Sequence, residues 1–244
     1  MLKPNTVLRR LPKALDPKQV LFLDGIRHAS DIATFSYSRL KQTLTEIALQ
    51  EQQNATAIQS TSAFLDAWSV VDSIDRLRGL FILFPGARKL DGESDKVSLE
   101  GVTRPIRNLR NVADHLAERS DYVLAKNGTA LGSLAWCTML PEGDDPRADV
   151  VTCAIVPGTV KSGSRPMVNP AGRSLELPTG LITLSAGEFT ADLSETMRQM
   201  AEFLRDIENQ IESFVDTEAG ALETSGSDFT VKAYMKLGDS IERG

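Results

Sequence analysis

The sequence predicts a mainly α protein: an antiparallel four-helix bundle with an antiparallel β meander inserted between the third and fourth helices. Three observations lead there. Apolar residues recur at helical spacing over residues 26–52, 57–84, 103–125 and 193–215. Between 131 and 185 that period gives way to short apolar runs parted by turn-forming residues. With 244 residues, 41% hydrophobic and 25% charged, the chain suits one globular domain with a sizeable core.

Residues up to about Gly25 form a Pro-containing lead-in, read as an arm that packs through Val20, Leu21, Phe22 and Leu23. The first helix, Ile26 to Gln52, carries Ala33, Tyr37, Leu40, Leu44 and Ile47 on one face with no Gly or Pro to interrupt it. The second, Ala57 to Phe84, carries Phe64, Ala67, Trp68, Val71, Ile74 and Leu77 and stops at Pro85-Gly86. Two such helices in sequence make an antiparallel hairpin. Ser98 or Thr103 would cap the third helix, with Pro105 close to its start, and Asn127-Gly128 lies beyond its end.

Leu131 to Leu140, Asp149 to Val156 and Gly180 to Ser185 read as strands, the last two separated by a Gly-, Ser- and Pro-rich loop around 157–174. Trp136 anchors this sheet against the helices, with base stacking as the alternative. The fourth helix places Met197, Met200, Ala201, Leu204, Ile207, Ile211 and Phe214 on one face. The domain reading is a single unit: a helical bundle over 26–128 and 190–217, the insert over 129–189, and a loosely ordered tail over 218–244. In that tail Phe229 to Leu237 could add a short strand.

Several function classes drop out. The run at Leu80 to Phe84 is too short to span a bilayer and the N-terminus has no signal-like apolar stretch, so a cytoplasmic protein without a membrane partner is expected. Cys137 and Cys153 lie on separate strands without a CxxC pattern and read as reduced, packed thiols. No metal-ligand spacing occurs, so neither a metal nor another cofactor is expected. Gly158 to Arg165 lacks the Lys-Ser/Thr ending of a phosphate loop, and Gly132-Ser133 lacks the flanks of a nucleophile elbow.

The net charge of −6 is unevenly spread: residues 1–185 hold 22 Lys+Arg against 20 Asp+Glu, and residues 186–244 hold 5 against 13. Eight basic residues against four acidic ones between Arg76 and Arg110 permit a local positive surface. Asp72 and Arg76 read as an i, i+4 pair within the second helix. Asp66, Asp72 and Asp75 read as solvated acids, with orientation of a basic group on a neighbouring helix as the alternative.

The candidate site lies on the third helix. Ile106, Leu109, Val112, Ala113 and Leu116 make an apolar arc, and Arg104, Arg107, Arg110, Asn111, Asp114, His115 and Glu118 make the polar one. Arg107, Asn111 and His115 stack at i, i+4 and i+8, with Arg110 beside them. A guanidinium matches phosphate oxygens with a planar fork, and imidazole moves protons near neutrality, so the pairing suits chemistry on a phosphate. His28, the other histidine, has no chemical neighbours in sequence and reads as a surface or packed residue.

The stretch Arg110-Asn111-Val112-Ala113-Asp114-His115 resembles the signature of HEPN domains, in which Arg, a polar residue and a following His share one helix. The resemblance implies a metal-independent ribonuclease that acts as a homodimer, in toxin–antitoxin, phage-defence or RNA-processing settings. His115 would be general base or acid, Arg110 would hold the scissile phosphate, and Asn111 would orient one of them; Arg107 and Arg104 would bind substrate. Leu116 and Ala117 follow His115, so the Tyr that some nucleotidyltransferase-paired members carry two places after the His is absent. The competing readings are a non-catalytic HEPN-like module for RNA, nucleotide or protein, and a structural protein with a polar helix face.

Overall fold

The computed structural model describes residues 1–13, 15–51, 54–85, 99–115, 118, 129–140, 150–158, 167–218, 228 and 230–232. A short 3-10 turn, Val7–Arg9, precedes helix α1, Pro17–Leu49. That helix starts ahead of the expected Ile26, and Val20 to Leu23 lie inside it. The Asp16 carboxylate accepts the Lys18 N–H at 2.8 Å and Pro17 fills the first helical position, where a missing N–H costs nothing. A capping box between Thr56 and Gln59 starts α2, Ala57–Leu83. The two helices run antiparallel: Leu80 lies against Gly25, Ser36 Oγ donates to Ser69 Oγ at 2.9 Å, and Gln59 donates to Gln50.

Helix α3, Leu99–Asp114, is shorter than expected at its C-terminal end and holds Pro105 in its interior. Thr103 is not a cap: it is buried within the helix, and its hydroxyl donates to the Leu99 carbonyl at 2.7 Å. Ser98 and residues 116, 117 and 119–125 of the expected helix lie outside the described residues. Thr103, Ile106, Leu109 and Val112 form the buried side. The last helix, α4 (Leu193–Glu218), begins where Asp192 Oδ1 accepts the Glu195 N–H at 2.9 Å. No helix among the described residues is long and apolar enough to cross a membrane.

Four strands, β1 (Ser133–Met139), β2 (Val150–Ile155), β3 (Thr179–Ala186) and β4 (Phe189–Asp192), make one antiparallel sheet in the order β2-β1-β3-β4. This is not a meander, because β3 pairs with β1 and not with β2. The chain between β2 and β3 must therefore pass across the sheet, and Val168 and Leu175 from it pack on Ala135, Cys137 and Leu181. Both faces of β1 are consequently buried. The unexpected β4 follows a two-residue turn in which Gly187 has φ 59°, a conformation glycine adopts without steric cost. Gly132, at φ 77°, leads into β1 where any Cβ would meet the Ser185 carbonyl oxygen at 2.2 Å.

The expected four-helix bundle with an inserted sheet does not form. Trp136, Leu134, Ile182 and Leu184 from the sheet share one core with Leu40, Leu44, Ile74, Leu77, Ile106, Leu109, Met200 and Leu204 from the helices. Helix α4 packs chiefly on β3, and reaches α2 through Phe203, whose ring meets Phe81 edge-on at 5.0 Å. Helix α3 lies against α2 and β4. The physical reason is the apolar inner face of the sheet: four wholly buried large side chains on it need cover, and α3 and α4 supply it. The anchoring role of Trp136 holds, and with no exposed surface it cannot stack on a base.

A polar knot ties α1 to the sheet. Opposite Trp136, β3 carries an extra residue, and Leu181 takes φ 52°. The Ile182 N–H beside this bulge goes to Ser194 Oγ at 2.9 Å, and Tyr37 Oη donates to the same oxygen at 2.9 Å. Burial pushes the Tyr37 hydroxyl well above its ordinary pKa, and nearby Glu176 adds to this. Lys41 closes the knot with an ion pair to Glu176 at 2.9 Å. Cys137 and Cys153 are both free thiols, and they face opposite sides of the sheet, since Cys137 pairs with Thr152 and Cys153 with Trp136.

If sheet and helices share one core, they unfold together. Urea denaturation followed by far-UV circular dichroism and by tryptophan fluorescence should give one coincident transition. Trp136→Ala should cost about 3–5 kcal/mol. Helical signal that persists after the sheet has melted would contradict the shared core.

Candidate nucleic-acid interface

Burial of Thr103, Ile106, Leu109 and Val112 decides which side of α3 meets solvent. Arg104, Arg107, Asn111 and Asp114 are exposed along that outer side, and His115 stands just past the last helical residue. Arg104, Arg107 and Asn111, at i, i+3 and i+7, form one ridge. Arg104 and Arg107 make no ion pair with the described residues.

His115 has a partner that the sequence reading did not assign. Its Nδ1 lies 3.1 Å from Glu118 Oε2, with the His115 side chain 49% exposed. A carboxylate can only accept, so the Nδ1 side of the ring carries the proton in this contact. The clue was available in the three-residue spacing between His115 and Glu118.

Arg110 is placed differently. Its side chain, 37% exposed, turns from the ridge toward α2, where Nη1 donates to Asp75 Oδ2 at 2.8 Å and Nε lies 3.5 Å from Asp72. Asp114 adds a third carboxylate at 3.6 Å. Burial lowers the guanidinium's affinity for its proton, but the Asp75 hydrogen bond with Asp72 and Asp114 more than offsets this, and the pKa stands above its ordinary value. Arg78 shares Asp75, with Nε 3.2 Å from its other oxygen. Asp72 and Asp75 thus orient a basic group on a neighbouring helix. Asp66 does likewise with Arg39 of α1, at 3.3 Å. The expected pairing of Asp72 with Arg76 is absent, and Arg76 makes no ion pair among the described residues.

Among the described residues, Arg110, Asn111 and His115 line neither of two cavities, the groove between α1 and α2 and a smaller one beside Lys41 and Leu177. The open groove between α1 and α2, of about 530 Å³, is lined by Ile32, Phe64, Leu65, Trp68, Asp72 and Arg76. Arg110, Asn111 and His115 are not in its wall, and Arg110 comes near it only through Asp72. The ridge faces solvent, with two guanidiniums that make no ion pair among the described residues and one imidazole backed by a carboxylate. No family model, curated protein or solved structure matches this chain.

Arg110→Ala should lower stability by about 1–2 kcal/mol, the value of charged hydrogen bonds discounted for partial exposure. Asn111→Ala and His115→Ala should stay within about 0.5 kcal/mol of wild type. Equal losses for all three in urea titrations would contradict this division. Asp66 gives a pH test: burial raises its pKa more than Arg39 lowers it. The folded state then holds the proton more tightly, and stability falls as pH rises from the ordinary Asp range through the raised value. Asp66→Asn should remove that slope; a slope unchanged in the variant would assign it to another group.

Proposed function

We propose that the outer ridge of α3 contacts RNA phosphates and that the chain is a HEPN-like, metal-independent ribonuclease. The observation that carries this is the alignment of Arg104 and Arg107, which make no ion pair among the described residues, with Asn111 and a His115 backed by Glu118, all facing solvent. His115 Nε2 takes the proton of a ribose 2′-hydroxyl; the 2′-oxygen attacks phosphorus and the bond to the 5′-oxygen breaks, that oxygen leaving with a proton from water. The products are a 2′,3′-cyclic phosphate and a 5′-hydroxyl end. Arg107 neutralises charge that develops on the phosphate, Arg104 holds the adjoining one, and Asn111 orients the reacting group. Arg110 anchors the helix that carries them, its own grip on phosphate being reduced by Asp72, Asp75 and Asp114. A second copy that set its own ridge opposite would enclose the RNA between two such faces.

That same engagement of Arg110 favours a second reading, in which the ridge binds RNA without cutting it. Incubation of the full chain with end-labelled single-stranded RNA in EDTA separates the two. Cleavage is expected, reduced on the order of 10²–10⁴-fold in His115→Ala. Arg107→Ala should weaken RNA binding and lower the dependence of log affinity on log salt by about one unit. Cleavage that needs Mg²⁺, or that survives His115→Ala unchanged, overturns the mechanism; retention of RNA without cleavage selects the binding module.

A further inference from the structure

Away from α3, one guanidinium among the described residues is buried almost entirely. Arg27 lies in α1 with its side chain only 4% exposed, and its Nε is buried without a hydrogen-bond partner. A buried cation is tolerated only when paired, because the desolvation penalty is several kcal/mol per ion. The pairing here comes from far along the sequence: Nη1 donates to Asp228 Oδ2 at 3.0 Å and Nη2 to Oδ1 at 2.6 Å, a two-pronged carboxylate grip. His28 Nε2 stands 2.8 Å from Arg27 Nη2 and 3.4 Å from the same Asp228 oxygen.

Among the described residues, little else holds the occupant. Asp228 is 59% exposed, and Thr230, Val231 and Lys232 beside it are exposed as well. The carboxylate therefore reaches Arg27 from the solvent side, and its departure would open both Nη atoms to water. Two further acids flank the site: Asp24 is 3.7 Å from Arg27, and Asp31 is engaged by Arg9 at 2.7 Å. Neither makes a hydrogen bond to the Arg27 fork, so neither replaces Asp228.

We infer that Arg27 and His28 form an oxyanion-binding site, filled in this structure by the chain's own Asp228, which an external carboxylate or phosphate group can displace. The fork geometry selects ligands with two oxygens on one centre, and His28 Nε2, accepting from Arg27 Nη2 at 2.8 Å, steadies the fork. The hydrogen bond to Arg27, with the charge of Arg27 and His28, holds the Asp228 carboxyl below its ordinary pKa, as expected for an anion in a cationic seat. The site is independent of the α3 ridge.

Asp228→Ala empties the seat in the full-length chain, and the ring signals of His28, one of two histidines, report on it by NMR. Titration with inorganic phosphate and, separately, with acetate should shift those signals saturably. The variant should need about tenfold less anion than wild type, in which a tethered carboxylate competes at high effective concentration. Whichever anion saturates first identifies the ligand source as phosphate or carboxylate. Asp228→Asn, nearly the same in shape, should behave like the alanine variant. Adding Arg27→Met to Asp228→Ala should abolish the saturable shift; if that double variant does not fold, His28→Gln, followed by thermal stability under phosphate, should weaken the response. The inference is overturned if the emptied variant shows no saturable shift, if it and wild type respond alike, or if the response survives loss of Arg27.

Discussion

The inner face of the sheet is the constraint from which the rest of this fold follows. Leu134, Trp136, Ile182 and Leu184 project from adjacent strands and are wholly buried. At about 1.5–3 kcal/mol for each large apolar side chain removed from water, leaving that face open would cost much of a typical domain's stability. The α1–α2 hairpin cannot cover it alone, so α3 and α4 lie on it as well. This fixes the rotation of α3. With Ile106, Leu109 and Val112 committed to the core, Arg104, Arg107 and Asn111 have only solvent to face.

Electrostatics then divides the labour among the arginines of that region. Asp72 and Asp75 of α2 stand opposite one flank of α3 and draw Arg110 to themselves, and Arg78 is held by Asp75 from within α2. Arg110 thereby secures α3 to α2. Arg104 and Arg107 lie on the ridge away from those acids and keep their charge available. The overall charge of −6 is no obstacle to this, because at ordinary ionic strength screening acts over about 8–10 Å and the local arrangement dominates.

Much of this was legible in the sequence, and what was not has physical causes. The period of Phe64, Ala67, Val71, Ile74 and Leu77 located α2 closely, because one buried face enforces one spacing. Pro17 misled as a mark of irregular chain when it is a first-turn proline after an Asp cap. Strand β4 is only four residues long, too short for alternation to register. The crossing of the chain from β2 to β3 leaves no local trace, since strand order is decided by which long-range pairing buries the most surface. For the candidate site, the residue types and the placement of Arg104, Arg107, Arg110 and Asn111 on one helix were readable, while His115 falls just past its end. The capture of Arg110 was not, because its partners come from another helix and only packing brings Asp75 within 2.8 Å.

The central claim is that the solvent-facing ridge of α3 meets RNA phosphates. Amide chemical-shift mapping of the full chain with a short single-stranded RNA tests it most directly. The account predicts saturable shifts concentrated at Arg104, Arg107, Asn111 and His115, weakening steeply with salt, while the buried positions Ile106 and Leu109 move little. Shifts confined to the groove between α1 and α2, or no saturable shift along α3 at low salt, would contradict it.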